Sequence, residues 1–454
     1  MSTIQASAHP HKSFFVEMFT RDITLHECIL DLIDNSIDGL IRTTGKKLDL
    51  KNLLETLQSS STSNVPTVSV VISGDSITIS DNCGGISLIE AEREVFNFGH
   101  SSDYHRQNRG AGLGVYGIGL KRALFKIGAI FEMTSRTKED GFRLRVDLAE
   151  WVKEDSLEKW TFPLTPIGRA KFGKETGTTI KITHLRKDAK DAISDEGFLT
   201  RLEKEVGRNY ALLLKKFVNI VINGSRIEPI YLPIAESKEV TPAFLEFEDD
   251  GVTVQIYASL ARRDIKGEWP GAQAGWYVAC NGRLVVVADK TDLTGWGEGR
   301  LPEFHTGKFR GFVGLVLFLS DNPLKLPWTT KKSGLNRESL IYQKACREMD
   351  ALARPILTFL NKMYSQEVQE APEQRKIADG VRPVGIGTLA KGGERGFSVN
   401  PAKKRKEKTS VRIQYDAEKS DIEKIKKHLR RPDLSCSAIG ELTFNEYLRA
   451  QGLK

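Results

Sequence analysis

The N-terminal part of the chain shows two hydrophobic periodicities. In TLHECILDLIDNSIDGLIRTTG apolar residues recur at helical spacing, and Thr24 and Glu27 form a capping box that predicts where the helix begins. VPTVSVVIS and SITISDN alternate like strands, with GD between them as a predicted hairpin turn. A further helix is predicted from about Gly119 to Ile127, before the strand-like segments EMTSRT, FRLRVDL and TTIKITHL. This order predicts an α+β sandwich with helices on one face of a mainly antiparallel sheet.

Changes in the pattern along the chain predict its division into domains. A tail at 1–13 precedes a first domain at 14–188, and a second α+β unit follows at 196–366. That unit contains the strand candidates FVNIVING, VTVQIYASL, GWYVACNGRLVVV and GFVGLVLFLS, and it ends in a long helix. Residues 367–409 have few apolar side chains and many charges and glycines, which predicts a flexible linker. The pattern returns at 410–454, where we expect a small C-terminal module.

Composition excludes several classes of protein. The 454 residues exceed one ordinary core, so two or three domains are expected. No apolar run reaches the roughly 18 to 20 residues of a membrane helix, and the N-terminus lacks the apolar core of a signal peptide. The five cysteines are scattered without CxxC spacing, which argues against a zinc site or a disulfide framework. We therefore expect a cytoplasmic protein, and the net charge of +8 permits an anionic partner without requiring one.

The helix segment LDLIDNSIDGL carries a line of polar residues. Asp31, Asn35 and Asp38 are spaced i, i+4 and i+7, so all three lie on one face. One interpretation is the solvated face of an amphipathic helix. The other is a site for a hard cation such as Mg²⁺, which accepts a few protein oxygens and several waters.

A carboxylate also stands where a predicted strand ends. In SITISDNCGGIS, Asp81 is followed by two glycines, Gly84 and Gly85, at which the backbone can turn closely against another group. A carboxylate in this place suits an exocyclic amino group such as the adenine N6. An Asx-type turn is the alternative.

The third motif is GAGLGVYGIGLKRALFKIG, whose glycines lead directly into a helix. Backbone N–H groups and the helix N-terminus predict an anion site, and Lys121 adds a positive charge one turn in. Gly112, Gly114 and Gly117 match GxGxxG, but the preceding SSDYHRQNR is not a strand, so a dinucleotide site is not supported. No GxxxxGK[ST] motif occurs, which excludes a P-loop.

Taken in this order, DLIDNSIDG, DNCGGI, GVYGIGLK and GTTIKI resemble the motifs of the GHKL ATPases, the superfamily of gyrase, the ninety-kilodalton chaperone, histidine kinases and MutL. The chain is most similar to the MORC and MutL-like branch. The resemblance covers roughly residues 14–185. It implies a GHKL α/β sandwich followed by a ribosomal-protein-like α+β transducer domain, for which CNGRLV and LPWTTKK are the most telling segments.

The resemblance also implies a set of site residues for ATP and Mg²⁺. Asn35 would hold the metal, Asp81 would bind adenine, Gly85 would let the ring approach, and Thr178 would support the surroundings of Asp81. The implied phosphate cradle lies beneath a lid at 98–113 and consists of Gly114, Gly117, Gly119 and Lys121.

The second domain would contribute a lysine to the γ-phosphate. The resemblance assigns this role to Lys331, with Lys332 as the alternative. A solvated loop charge is the other interpretation of either lysine.

Two positions depart from the family pattern. The general base, four residues before the asparagine, is usually Glu, whereas this chain has Asp31. Asp is one methylene shorter, which places its carboxylate ~1.5 Å from the usual position and predicts slow hydrolysis. Cys83 replaces the first glycine after Asp81, and Gly84 is expected to supply the flexibility instead.

The function implied by the resemblance is an ATP-dependent homodimer that acts as a clamp on DNA, in DNA repair or in antiphage defence against foreign DNA. The basic run Lys403, Lys404, Arg405 and Lys406 is a candidate DNA contact, although solvated charge is a common alternative in linkers. A second candidate cluster consists of Lys424, Lys426, Lys427, Arg430 and Arg431. The rival function is a non-hydrolysing ATP sensor or scaffold that controls assembly with a partner protein.

Overall fold

The computed structural model describes residues 11–44, 65–99, 112–114, 117–154, 160–168, 176–264, 266–297, 299–305, 307–364, 372–383, 393–399 and 413–453. The chain divides into two units, Met1–Pro401 and Ala402–Lys454, and each is described by itself. Among the described residues, no helix combines the length and apolar character needed to cross a membrane.

The first unit contains two sheets and their helices. Its helices are α1 Lys12–Arg21, α2 Leu25–Thr44, α3 Leu88–Glu90 followed by a π-helical turn at Ala91–Val95, α4 Gly119–Ile127, α5 Leu148–Lys153, α6 Lys187–Ile193, α7 Phe198–Asn209, α8 Leu340–Met363 and α9 Pro372–Asp379. Its strands are β1 Thr67–Ile72, β2 Ser76–Asp81, β3 Gly128–Arg136, β4 Gly141–Asp147, β5 Leu164–Ile167, β6 Gly177–Leu185, β7 Asn219–Ile222, β8 Ser225–Arg226, β9 Ala235–Glu236, β10 Val240–Thr241, β11 Ala243–Asp249, β12 Val252–Leu260, β13 Gly275–Cys280, β14 Arg283–Asp289, β15 Phe312–Leu319, β16 Arg382–Pro383 and β17 Ser398–Val399.

The larger sheet has the order β5-β4-β3-β6-β2-β1-β7-β8. Helices α2 and α4 pack against each other and against its strands. The capping box before α2 is confirmed: the Thr24 N–H donates to the Glu27 carboxylate at 2.8 Å, and the Glu27 N–H donates to Thr24 Oγ1 at 3.2 Å. The β1–β2 hairpin and the predicted bounds of α4 are confirmed as well. The mixed helix and strand content around a large sheet agrees with the predicted α+β class.

The five-stranded sheet has the order β11-β12-β15-β13-β14. Every residue of β15 is buried, because α8 packs on this sheet. The turn between β13 and β14 is Asn281-Gly282, with φ +46° and +83°, a two-residue connection that favours positive φ at both positions. The segments VTVQIYASL, GWYVACNGRLVVV and GFVGLVLFLS form strands here as predicted.

FVNIVING does not join this second sheet. Its strand β7 pairs in parallel with β1, with Ile220 opposite Val68. Both side chains are fully buried. The prediction that this strand belongs with the other strands of 196–366 is therefore wrong, because a short apolar strand pattern does not indicate which sheet edge the strand will join.

Part of the predicted flexible linker is folded. Helix α9 lies within 367–409, β16 pairs with β9, and β17 pairs with β10. Two of the few apolar side chains of this stretch, Ala378 and Val381, are buried. The description as a linker is therefore incorrect for 372–383 and 393–399, and the basic run Lys403, Lys404, Arg405 and Lys406 lies outside the described residues.

The second unit contains two helices, α10 Lys419–Leu429 and α11 Cys436–Ala450. Among its described residues only Ile439 is buried. Three of the predicted basic residues form ion pairs within the unit: Lys424 with Asp421, Lys426 with Glu423, and Arg431 with Asp433.

Candidate functional site

A cavity opens between α2, the ends of β2 and β6, and the N-terminus of α4. All the site residues predicted for the first domain line it: Asp31, Asn35, Asp81, Gly85, Gly114, Gly117, Gly119, Lys121 and Thr178. Four polar lining residues were not predicted: Ser36, Arg42, Arg122 and Thr330. The structure thus brings four motifs that are far apart in sequence to one place.

The polar face of α2 lies against protein and the cavity, which excludes the interpretation as a simple solvated face. Asp31 is 4% exposed, and the Arg122 guanidinium on α4 donates to its Oδ2 at 2.8 Å. The other oxygen, Oδ1, lies 3.7 Å from the Lys332 ammonium, beyond hydrogen-bond distance. One oxygen of the predicted base is therefore held by an arginine, and the other remains available.

Asn35 has the character expected of a ligand contact. Its side-chain Nδ2 is a buried atom without a hydrogen-bond partner. The amide nitrogen and oxygen exchange places by a half-turn of the side chain, so either a donor or an acceptor can be presented. An amide oxygen beside phosphates and water suits Mg²⁺. Asn35 therefore fits the predicted metal role.

Asp81 is held in a defined orientation at the end of β2. Its Oδ2 accepts from Ser36 Oγ at 2.9 Å, while Oδ1 accepts from the backbone N–H groups of Cys83 at 2.9 Å and Thr178 at 3.3 Å. Burial raises the pKa of this carboxyl, although the three donors oppose the shift. Oδ2 accepts one hydrogen bond, from Ser36, and can accept another. An adenine amino group is a donor of this kind.

The strands beneath Asp81 form an apolar floor. Ile79, Ile180 and Met133 are paired across β2, β6 and β3, and all three line the cavity. A planar aromatic base packs well on such a row. Thr178 lies at the near end of β6, and its hydroxyl shares a hydrogen bond of 2.8 Å with the Ser135 hydroxyl. Thr178 therefore binds Asp81 through its backbone N–H and not through its side chain.

The glycines after Asp81 are required by backbone packing. Gly84 and Gly85 have φ +102° and +76°, and a Cβ on Gly85 would lie 2.0 Å from the carbonyl oxygen of Arg136. Cys83 turns its side chain into the core. Gly84 thus supplies the left-handed conformation, as expected for this departure. Gly85 serves the packing of β3 in addition to the predicted approach of a ring.

The glycine-rich segment is anchored to α2. Asp38 accepts the backbone N–H groups of Leu113 at 2.5 Å and of Gly114 at 2.6 Å. A Cβ on Gly119 would lie 3.2 Å from the Asp31 carboxylate, so glycine lets the N-terminus of α4 approach the cavity closely. Asp38 therefore positions the predicted phosphate cradle, whereas most of the predicted lid lies outside the described residues.

Lys121 is almost fully buried. Its ammonium donates to the Val95 carbonyl at 2.8 Å and lies 5.8 Å from the centre of the Phe98 ring. Burial lowers the pKa of Lys121 from 10.5 to about 7. A phosphate in the cavity would give the Lys121 ammonium a neighbour of opposite charge.

Comparison with known families identifies this part of the chain. Residues 23–176 match the family of histidine kinase-, DNA gyrase B-, and HSP90-like ATPases. This segment is similar to the GHKL ATPase domains and is called the GHKL domain below. Domains of this family bind ATP with Mg²⁺ in general, and the match supports the superfamily without distinguishing its branches. No curated protein matches the chain.

The lysine that reaches the GHKL domain from the second sheet region is Lys332. It is 7% exposed, and it lines the cavity. Lys331 instead donates to the backbone carbonyl of Asp22 at the surface and does not line the cavity. The structure therefore favours the alternative lysine, because consecutive residues of a turn point in different directions and Lys332 has φ +53°.

A buried polar cluster beside the cavity was not anticipated. Asp34, between the predicted residues of α2, is fully buried and contacts Lys332, Arg283 and the Tyr210 hydroxyl. The β13–β14 turn adds Asn281, whose Nδ2 donates to the Gly112 carbonyl at 3.0 Å. The sequence contains signals for this cluster, since Asp34 interrupts an apolar run and CNGRLV contains Asn281 and Arg283. The pairing of Asp34 with Arg283 was not predictable, because the two residues are 249 positions apart.

Proposed function

We propose that the protein is a Mg²⁺-dependent ATPase with slow turnover, whose ATP-bound form is a homodimer. The observation that carries this proposal is the convergence of Asp31, Asn35, Asp81 and the glycine-rich N-terminus of α4 on one cavity of a GHKL domain. Asp81, Asn35 and the N-terminus of α4 match three different parts of MgATP, and Asp31 matches the attacking water.

The residue roles follow from their chemistry. Asp81 accepts the adenine amino group above the apolar floor, and Asn35 contributes to holding Mg²⁺. The backbone N–H groups at Gly117 and Gly119 and the Lys121 ammonium face the phosphates. Mg²⁺ would supply charge neutralisation between the phosphates.

Hydrolysis requires an oriented water. The available Oδ1 of Asp31 accepts its proton, and Lys332 neutralises charge on the γ-phosphate. The Asp31 side chain is short, and its other oxygen is held by the Arg122 guanidinium, which restricts how the base can approach that water and supports slow turnover.

The proposed partner is DNA, which the dimer would hold during repair or during defence against foreign DNA. We place the protein in the MORC or MutL-like branch and in the cytoplasm. The support is the resemblance of the motifs and the excess positive charge of the chain. Within the described residues of 413–453, Lys427 and Arg430 have no carboxylate partner, and the ion pairs of Lys424 and Arg431 are exposed and contribute little to stability.

Single-turnover hydrolysis with wild type, Asp31→Asn and Asp81→Asn tests the catalytic proposal. We expect Asp31→Asn to keep ATP binding and to hydrolyse at least about 100-fold more slowly, because the base is lost. Asp81→Asn is expected to lose binding. The matched control is Asp250→Asn, which changes an exposed carboxylate outside the cavity.

The rival function is a non-hydrolysing ATP sensor or scaffold that controls assembly with a partner protein. The observation that favours it is the occupied Oδ2 of Asp31. Equal, near-zero rates in wild type and Asp31→Asn, with ATP bound in both, would establish the sensor and reject the ATPase.

A further inference from the structure

Asp34 is the most enclosed carboxylate near the cavity. It is fully buried, and three side chains donate to it. The Lys332 ammonium donates to Oδ2 at 2.7 Å, the Arg283 guanidinium donates to the same oxygen, and the Tyr210 hydroxyl lies 2.7 Å from Oδ1. Asp34 itself does not line the cavity, so its role must act through one of these partners.

Of the three partners, Lys332 is the one able to leave. Its side chain lines the cavity, and its stem is flexible. It also lies in the irregular segment between Trp328 and Leu335, with a left-handed backbone that is uncommon for lysine. A γ-phosphate in the cavity would therefore offer the ammonium a second anion.

Arg283 and Tyr210 are held in place. The turn before Arg283 is fixed because Asn281 exchanges hydrogen bonds of 3.1 and 3.0 Å with the backbone of Ser320. The Arg283 guanidinium is buried and lies 5.7 Å from the centre of the Tyr210 ring. When Lys332 moves away, Asp34 thus keeps a cation and a hydroxyl donor, which avoids the large cost of a buried carboxylate without a partner.

We propose that Asp34 is a positioning residue that holds Lys332 beside the cavity and competes with the γ-phosphate for its ammonium. This inference rests on the proposed ATP site. Lys332 passes from Asp34 to the γ-phosphate when ATP binds, while Arg283 remains on Asp34. ADP lacks the γ-phosphate and leaves Lys332 on Asp34.

The charges of the cluster agree with this exchange. Asp31, Asp34 and the nearby Asp38 contribute three carboxylates, and Arg122, Arg283 and Lys332 contribute three cations, so cations and carboxylates are matched in number. When Lys332 moves to an arriving phosphate, it exchanges one anion for another, and Arg283 remains as the cation beside Asp34. The competition with Asp34 makes the discrimination between ATP and ADP smaller than the γ-phosphate contact alone would produce.

The test compares the affinities of a non-hydrolysable ATP analogue and of ADP, with Mg²⁺, by titration calorimetry on the full chain. We expect Asp34→Asn to raise the ratio of the ADP Kd to the analogue Kd about tenfold, because a charged hydrogen bond no longer competes. Lys332→Met is expected to lower the ratio and to remove the effect of Asp34→Asn in the double variant. Damage to the fold would weaken both nucleotides and would not raise this ratio.

Two further variants keep the test decisive if Asp34→Asn is unstable. Asp34→Asn with Arg283→Gln removes one charge of each sign and is expected to raise the ratio similarly. Tyr210→Phe removes a donor to Asp34 while keeping the ring, so Asp34 should hold Lys332 more tightly. The ratio of the ADP Kd to the analogue Kd should then fall about two- to threefold, which on a logarithmic scale is roughly half the effect of one hydrogen bond. If wild type binds both nucleotides and these variants leave the ratio unchanged, the role of Asp34 is refuted. If wild type binds neither nucleotide, the proposed function itself fails.

Discussion

Single side chains around the cavity owe their chemistry to burial. The carboxylates of Asp31 and Asp34 would be exposed on an isolated helix, but here arginines and a lysine neutralise them. Lys121 has no such partner, and its pKa falls because its charge is desolvated. An anion that enters the cavity therefore meets a lysine that binds it best when protonated.

Nucleotide binding should consequently take up a proton at Lys121. Phosphate stabilises the ammonium, so the affinity for the ATP analogue is expected to fall as pH rises above about 7, approaching tenfold per pH unit. In the nucleotide-free protein the lowered pKa has the opposite effect, since stability should increase as pH rises from about 7 towards 10.5. Calorimetry in two buffers of different ionisation enthalpy measures the proton uptake directly.

Lys121→Arg is the matched variant for this measurement. Arginine keeps its charge throughout the range, so its affinity should vary little between pH 7 and 9. An equal pH dependence in wild type and Lys121→Arg would assign the effect to another group.

Among the elements, the end of β2 combines close backbone packing with an oriented carboxylate. Its last residue is Asp81, and the chain then turns through two glycines against the backbone of β3. The hydrogen bonds that orient the Asp81 carboxylate come from α2, from the turn and from β6. A displacement of the turn would therefore disturb the site as well as the sheet.

Gly85→Ala tests this coupling. The new Cβ would overlap the Arg136 carbonyl and would require alanine at φ +76°, so we expect a loss of about 2 to 5 kcal/mol in the free energy of unfolding and weaker ATP binding. Gly74→Ala in the β1–β2 turn is the control, because no atom lies within 4 Å of its Cβ. Urea unfolding distinguishes them, and a Gly85→Ala protein as stable as the control would contradict the argument.

At the level of the whole molecule, the GHKL domain and the second sheet belong to one unit and meet at the cavity. Lys332 and Arg283 come from the second sheet region, and both bind α2. Asn281 joins the same region to the backbone at Gly112, which lies within the predicted lid segment 98–113. A change of nucleotide can therefore reach the second sheet by two routes.

The proposed dimer is the consequence at this level. We expect the ATP analogue with Mg²⁺ to double the mass from 50.7 kDa in light scattering, whereas ADP leaves a monomer. Asn35→Ala should remain monomeric, and Asp250→Asn should dimerise like wild type. The dimer should bind DNA of any sequence less tightly as salt increases, and less tightly after reversal of Lys427 and Arg430. A mass that is the same with and without the analogue would reject ATP-driven dimerisation.

Much of the first domain was predictable because its signals are local. The capping box, the β1–β2 hairpin and the bounds of α4 depend on residues a few positions apart, which the sequence displays directly. The residues that line the cavity from the first domain were likewise recognisable from four short motifs. These features were determined by the sequence alone.

Other features depended on contacts between distant segments. The parallel pairing of β7 with β1, the folded stretch at 372–383 and the choice of Lys332 over Lys331 follow from packing that no local pattern contains. The same holds for the burial of Asp31 and Asp34, since a polar helix face looks identical in sequence whether water or Arg122, Arg283 and Lys332 lie against it. The sequence thus determined which groups could form an ATP site, and the tertiary structure decided which charges meet there, because electrostatic pairing in a buried site depends on distance in space and not along the chain.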